Sequence, residues 1–248
     1  MKMKTFGTTV FIVLFTTNVL YSQDAVTVKQ GYKYNNNFDL ALATEGKQSL
    51  AAISWVHFHS LTKKKRFKVG YGIRFNSQFG KDLYYVTAPA SLTSKRSDPG
   101  VLFSKIYYEN VDTFLVTKSQ NNSLNISINL QYTIKQKFDI GFNIDAVGFS
   151  FGGKTTGKYI GYQSSDNGTI QTASPTSLNL LLVSDNDIGG LNSELYGRYW
   201  FSQKWAIKAG ASFAFTEYTT DNKLRLGNDR WRNKSLMGMI AITFSPFR

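Results

Sequence analysis

The feature that most constrains this chain is a period-two alternation of apolar and polar residues, repeated in segments of about ten residues. In residues 66–76, Phe67, Val69, Tyr71, Ile73 and Phe75 alternate with small or polar residues. Such alternation predicts β-strands with one apolar and one polar face. The pattern returns at 122–134, 138–147, 205–215 and 236–244, and more weakly at 37–44, 49–61 and 189–200. The fold class is therefore all-β.

The connections between these segments are of two kinds. Short polar joins lie at 62–65, 135–137 and 201–204, and long ones at 77–121, 152–188 and 219–234, with a tight turn at 45–48. Short turns at one end and long loops at the other are typical of outer-membrane barrels, whose turns face the periplasm and whose loops face outside. We therefore predict a transmembrane antiparallel up-and-down β-barrel of eight strands. A further hairpin within 77–121 would make ten, although we expect it to extend the wall above the membrane.

The apolar faces of the strands are predicted to meet lipid. Those of 66–76, 122–134 and 236–244 carry no charged residue. A Lys or Arg facing the bilayer midplane costs roughly 2–4 kcal/mol. A soluble barrel such as a lipocalin would instead hide its apolar face and expose charge.

The charged residues on the polar faces are predicted to line the barrel interior. An eight-stranded barrel is just wide enough for side chains to fill it. We therefore expect an internal network of ion pairs and hydrogen bonds, and a plugged interior in preference to a pore. The predicted members are Lys68, Arg74, Asp139, Asp145, Glu194, Arg198 and Lys208.

Aromatic residues cluster beside the short joins and predict an interfacial girdle. Its members are Phe67, Tyr132, Phe138, Tyr199, Trp205 and Phe244, with Trp200 and Phe201 beside them. A general preference of aromatic residues for strands explains their abundance. It does not explain their concentration at one end.

Residues 1–22 have the pattern of a secretory signal peptide. Lys2 and Lys4 precede an apolar run, and Ser22 provides a small residue at the cleavage site. The run is shorter than the roughly 20 residues of a transmembrane helix. We expect cleavage after Ser22, a single barrel domain over 23–248, and location in the outer membrane of a Gram-negative bacterium.

The formal net charge of +13 raises the question of partners. Cations are scattered over turns (63–66, 135 and 137) and loops (95–96 and 230–234) instead of lining one helix. After export, outer-membrane lipid head groups and lipopolysaccharide phosphates are better partners than nucleic acid. The barrel assembly machinery during biogenesis and an outer-membrane protein partner are the other expected contacts.

No catalytic, cofactor or metal site is predicted. The chain has no cysteine, which excludes thiolate sites and a lipoprotein anchor. Its two histidines, His57 and His59, precede a basic turn without an oriented triad, so we interpret them as structural. Acidic clusters at 185–187 and 221–222 lack the ligand spacing of a calcium loop and are interpreted as turn formers.

Several segments together resemble a known group of proteins. They are the signal end at 20–23, the hairpin 123–132 with 138–145, and the pair 194–201 with 204–210. They resemble the outer-membrane β-barrel families common in Bacteroidota, of OmpA/OmpX-type or PorT-like architecture. Residues 244–248 are similar to the aromatic-ended signal read by the barrel insertion machinery. The resemblance implies a fold and a compartment, and no reaction.

Two functions of different classes stay open at this point. One is a structural or interaction protein that acts through the loops 77–121 and 152–188 and is not an enzyme. The other is a small-solute channel. A barrel enzyme that modifies lipid A or cleaves peptides is disfavoured by the position of the two histidines.

Overall fold

Antiparallel strands form one sheet that closes on itself. The computed structural model describes residues 34–246, so the predicted signal peptide and its cleavage site lie outside the described residues. The strands are β1 (Tyr34–Glu45), β2 (Gln48–Ser60), β3 (Phe67–Thr87), β4 (Thr113–Lys135), β5 (Phe138–Phe151), β6 (Thr155–Ile160), β7 (Ile170–Pro175), β8 (Leu178–Leu180), β9 (Leu191–Trp200), β10 (Trp205–Thr220) and β11 (Arg230–Phe244).

In residues 34–246, helical structure is confined to the connections. This part of the chain contains one short helix, α1 (Ala90–Thr93), and 3-10 turns at Pro99–Phe103, Tyr108–Asn110, Ser184–Asn186 and Arg225–Gly227. Between residues 34 and 246, no helix is long and apolar enough to cross a bilayer.

Eight strands form a closed ring in the order β1-β2-β3-β4-β5-β9-β10-β11, and β11 pairs back onto β1. The closing register sets Phe38 opposite Phe244 and Leu42 opposite Ile240. Closure matters because hydrocarbon offers no hydrogen-bond partner to an open strand edge. The predicted eight-stranded up-and-down barrel is confirmed, and residues 77–121 lengthen β3 and β4 instead of adding two strands to the ring.

Side chains outside the eight-strand ring are mostly apolar, and those inside are mostly polar. The inside also holds a buried cluster of apolar and small residues, which are Ala41, Ala43, Leu50, Ala52, Tyr196, Ala214, Met237, Met239 and Ala241. On β3, Tyr71, Ile73 and Phe75 point outward and are exposed, whereas Lys68 and Arg74 point inward and are buried. A water-soluble barrel would have the opposite arrangement. The eight-strand ring is therefore a transmembrane barrel whose outer surface suits acyl chains.

A second, smaller ring stands above the first at the long-loop end. There β1 and β2 have already ended at their turn, and β3 pairs directly with β11 through Thr87 and Trp231. The hairpin of β6 and β7 replaces β5 and β9 between β4 and β10. The upper ring thus contains six strands, in the order β3-β4-β6-β7-β10-β11. Residues 152–188, predicted to be a loop, contain β6, β7 and β8.

The inward face of the wall changes from mostly polar to apolar between the two rings. Buried positions on β3 are even-numbered up to Gln78 and odd-numbered from Leu83 onward, and the change lies around Asp82, whose φ is +53°. β4 changes phase at the same level, between Val116 and Ser119. Above this level the inward side chains form an apolar cluster of Leu83, Tyr85, Phe114, Val116, Tyr159, Ala173, Tyr218, Leu224 and Trp231.

The lipid-facing surface can be tested with one outward position. Ile240 lies in the part of β11 that pairs with β1, opposite Leu42, and is 64% exposed on the outside of the eight-strand ring. We expect Ile240→Arg to lower the free energy of unfolding from lipid vesicles by about 2–4 kcal/mol, because it places a cation in the acyl region. The matched control is Ile170→Arg on β7, at 67% exposure in the upper ring, which should have little effect. Equal losses from both variants would contradict the membrane placement.

Candidate functional site

The interior of the eight-strand ring contains a chain of buried charges that alternate in sign. Arg74 donates from Nε and Nη2 to Asp145 Oδ1, at 2.9 and 2.6 Å. Its Nη1 lies 3.3 Å from Glu194 Oε1. The other oxygen of Glu194 accepts a hydrogen bond of 2.6 Å from Lys208 Nζ. Residues far apart in sequence, on β3, β5, β9 and β10, are therefore joined across the barrel.

Asp39 on β1 continues this chain and was not predicted. Its Oδ2 lies 3.3 Å from both Lys208 Nζ and Arg198 Nη2, and its Oδ1 accepts a 2.5 Å hydrogen bond from Thr243. The sequence did contain a signal, because Asp39 alternates with the outward residues of a weak apolar segment. The ion-pair chain thus runs in the order Asp145, Arg74, Glu194, Lys208, Asp39, Arg198.

Two of the predicted interior residues, Asp139 and Lys68, lie toward the short-turn end. Asp139 accepts hydrogen bonds from Trp200 Nε1 at 2.6 Å and from Thr133 Oγ1 at 2.7 Å. Lys68 also points inward and is 8% exposed. All seven predicted residues therefore face the interior. Trp200 is a correction, because its 1% exposure and its bond to Asp139 place it inside the barrel and not in the outer girdle.

Amides complete the hydrogen bonding of the buried carboxylates. Asp145 Oδ2 accepts from Asn125 at 2.8 Å, from Asn76 at 3.1 Å and from the backbone N–H of Asn192 at 3.0 Å. Asn143 donates to Glu194 at 2.8 Å. Such partners are needed because a buried charge is costly unless it is both paired and hydrogen-bonded.

A small cavity lies beside this network. It is lined by Gln78, Asn121 and Thr216 among others and has a volume of about 10 Å³. This is room for about one water molecule. The polar side chains around it are buried, so side chains occupy the interior at this level.

The apolar cluster of the upper ring forms a second seal above the network. The Trp231 ring lies 5.8 Å from the Phe114 ring and 5.7 Å from the Tyr159 ring. Tyr85 packs edge-on against Tyr218 at 5.2 Å, and its hydroxyl lies 2.8 Å from Ser119 Oγ. Burial raises the pKa of both tyrosines above that of a solvated phenol. An ion would have to cross this apolar layer as well as the charged one.

The predicted girdle residues meet in cross-strand pairs beside the short turns. The pairs are Phe67 with Tyr132, Phe138 with Tyr199, and Trp205 with Phe244. The rings of Trp205 and Phe244 lie 4.7 Å apart. Each pair combines residues of two neighbouring strands at the same height, as an interfacial belt requires.

The two histidines lie on β2 near the short-turn end. Their ring centroids are 4.7 Å apart, and His57 also lies 5.5 Å from the ring of Tyr71. His57 Nδ1 and Asn36 Oδ1 are 2.8 Å apart. In the described part of the chain, no group of three or more metal-ligating side chains comes together.

The long-loop end is tied together by Arg225. Its Nη2 donates to the carbonyl oxygen of Glu109 at 2.7 Å and to Gln163 Oε1 at 3.0 Å, and its Nη1 lies 3.4 Å from Asp112. One guanidinium thus joins the β3–β4, β6–β7 and β10–β11 connections. Each of the residues Glu109, Gln163 and Arg225 has an exposed apolar or aromatic neighbour in sequence. These neighbours are Tyr108, Tyr162 and Leu226, which are 78%, 96% and 49% exposed. We call these three residues the loop platform.

A second tie holds the loop between β8 and β9. Glu217 accepts from Arg230 Nε at 2.6 Å and from Arg232 Nη2 at 2.9 Å. Arg232 also donates to the carbonyl oxygen of Asp187, and Lys234 pairs with Asp185. The sequence interpretation of residues 230–234 as a loop was wrong, because these cations belong to β11 and anchor the loop.

Comparisons with known proteins add context to this geometry. No family model matches the chain, and no curated protein matches it in sequence. Among solved structures, it is similar to Neisserial surface protein A at 8% identity, covering 86% of this chain and 97% of that one with a TM-score of 0.38. It is also similar to a major outer membrane protein from Thermus thermophilus (10% identity, 86% and 100% covered, TM-score 0.37). A third is Ail of Yersinia pestis (9% identity, 86% and 95% covered, TM-score 0.33). With scores this low, the fold and the site rest on the geometry of the chain itself.

The ion-pair chain can be tested by removing its most connected cation. We expect Arg74→Ala to lower the free energy of unfolding by about 3–5 kcal/mol, because Asp145 and Glu194 would remain as buried charges without their partner. The control is Arg96→Ala, which removes the exposed ion pair with Asp98 and should leave stability unchanged. Urea titration of both variants in lipid vesicles is the measurement. A stability of Arg74→Ala equal to that of the control would show that the network is not structural.

Proposed function

We propose that this protein is a non-enzymatic outer-membrane β-barrel that acts as a structural or interaction protein through its long-loop end. The transmembrane barrel and the predicted signal peptide support an outer-membrane location in a Gram-negative bacterium. In that membrane the short turns face the periplasm and the loops face outside. The same proposal includes the resemblance to outer-membrane barrels common in Bacteroidota, of OmpA/OmpX-type or PorT-like architecture.

The observation that carries the proposal is the double seal of the interior. Four acidic and four basic side chains occupy the interior of the eight-strand ring, together with buried amides and a group of buried apolar residues. A second apolar cluster fills the six-strand ring above it. Both layers lie on the route that a solute would follow through the barrel. They argue against the small-solute channel, which the sequence had left open, and they leave the two ends of the barrel as the surfaces available for function.

The long-loop end is built as a fixed surface. Arg225 and Glu217 tie the connections together, and β6 and β7 add hydrogen-bonded structure. Surfaces held in place before association lose less conformational entropy when a partner binds. The exposed aromatic residues of the loop platform are of the type enriched in the centres of interfaces. We infer that this platform contacts an outer-membrane protein partner, while lipid and lipopolysaccharide surround the barrel wall.

The first test is conductance in a planar bilayer. Purified protein should insert and give no steady single-channel current, because the charged and apolar seals lie in series. Insertion is checked separately by the change in gel mobility between heated and unheated samples. Steady currents of uniform size from inserted protein would favour the channel.

The second test is site-specific crosslinking in the native membrane. A photoreactive phenylalanine at Tyr108 or Tyr162 should give a discrete protein adduct, whereas the same group at the lipid-facing Tyr71 should not. Arg225→Ala should lower the adduct yield at both positions several-fold, because it removes the hydrogen bonds and the ion pair that hold the three connections together. The control, Lys223→Ala, should leave the yield unchanged. Adducts that are absent at both platform positions, or that are insensitive to Arg225, would contradict an interaction role for this surface.

A further inference from the structure

The charges of the described residues are divided unevenly between the interior and the two ends of the barrel. The interior is formally neutral, with four cations and four acids. The remaining residues toward the loops mix thirteen cations with eleven acids. The three short turns and their immediate flanks carry seven cations and no acid. These are Lys63, Lys64, Lys65, Arg66, Lys135, Lys137 and Lys204.

The three short turns form one continuous rim. The carbonyl oxygen of Arg66 accepts from the N–H of Thr133 at 2.8 Å, so the β2–β3 turn lies against β4. The carbonyl oxygen of Lys137 accepts from the N–H of Trp200 at 2.9 Å. That of Lys204 accepts from Ser245 at 2.8 Å. Each basic turn is therefore bonded to the strand or chain segment next to it around the ring. We call this set of turns the basic rim.

The cations of the basic rim are available to a ligand. Six of them are exposed, and none of the six forms an ion pair with any described residue. They are Lys63, Lys64, Arg66, Lys135, Lys137 and Lys204. The girdle pairs lie directly beside these turns, and such aromatic residues sit at the level of the head groups. Lysine and arginine stems that start at this level carry their charges to the lipid phosphates.

We propose that the basic rim binds the anionic head groups of glycerophospholipids of the phosphatidylglycerol type, in the leaflet that surrounds the short turns. This inference rests on the proposed outer-membrane placement, which puts the short turns in the periplasmic leaflet. Attraction between lysines and an anionic lipid surface acts within a Debye length and adds up over several cations. Lipopolysaccharide phosphates have the same chemistry, but they belong to the leaflet at the long-loop end.

The test compares lipid binding by two charge-matched variants of the full chain. The rim variant is Lys63→Gln, Lys64→Gln, Lys135→Gln and Lys137→Gln. The control removes four exposed cations nearer the loops, by Lys105→Gln, Lys118→Gln, Lys158→Gln and Lys223→Gln. Native mass spectrometry from a neutral detergent measures the affinity for phosphatidylglycerol and for phosphatidylcholine. We expect the wild type and the control to prefer phosphatidylglycerol by roughly tenfold or more, and the rim variant to lose this preference.

Each other outcome has a definite meaning. A wild type with equal affinity for the two lipids, or a control that loses the preference as fully as the rim variant, would overturn the proposal. Lipid A that binds more tightly than phosphatidylglycerol, in a manner lost in the rim variant, would overturn the assigned lipid. Heat-dependent gel mobility verifies that each variant is folded. A folded, non-conducting barrel without lipid preference would reject the rim alone and leave the proposed function in place.

Discussion

The structure depends on the inability of hydrocarbon to form hydrogen bonds. Every backbone N–H and C=O in the acyl region must find a partner within the protein, so the strands close into a ring. A ring of only eight strands is narrow, and its inward side chains must then satisfy one another. The chain of charges from Asp145 to Arg198 follows from this restriction. Equal numbers of acidic and basic side chains lie in the interior, and asparagine amides donate further hydrogen bonds to the buried carboxylates.

The same strands solve the opposite problem a few residues higher. Above the acyl region the outside of the wall meets water, so an apolar inside and a polar outside become favourable. β3 and β4 change phase together, near Asp82 and Thr117, and the inward positions become Leu83, Tyr85, Phe114 and Val116. The short β1–β2 hairpin ends below this level, which lets β3 reach β11 and narrows the ring to six strands. The apolar core of the upper ring is therefore a consequence of the change in solvent along one set of strands.

The sequence predicted the strand segments whose outward face meets acyl chains along the whole segment and whose inward face meets the polar interior. Alternation held over most of the acyl region, which is why the eight strands and the seven interior residues could be located. A β-bulge in β5, between Asp145 and Val147, is where the pattern changes phase. The odd or even numbering of positions along a strand also indicates two further inward residues. Asp39 shares the inward parity of its strand, and Trp200 has the same parity as Arg198. The upper ring could not be predicted, because β6 and β7 are six residues each and the phase change interrupts the pattern of the long strands. Pairing of Thr87 with Trp231 joins residues far apart in sequence, and no local pattern records it.

A filled interior has a consequence for where function can lie. Charges committed to the network cannot bind a ligand without leaving their partners unpaired, so the interior is unsuited to reversible recognition. The interior is formally neutral, so the net charge of the described residues lies at the two ends of the barrel. The charged residues are arranged differently at each end. At the long-loop end several cations, Arg225 and Arg232 among them, are paired with acids and hold the connections together, and aromatic side chains are exposed. At the short-turn end six exposed cations form no ion pair with any described residue and lie beside a belt of aromatic residues. The first arrangement holds a surface in shape for a protein, and the second suits a lipid surface that supplies the missing negative charge.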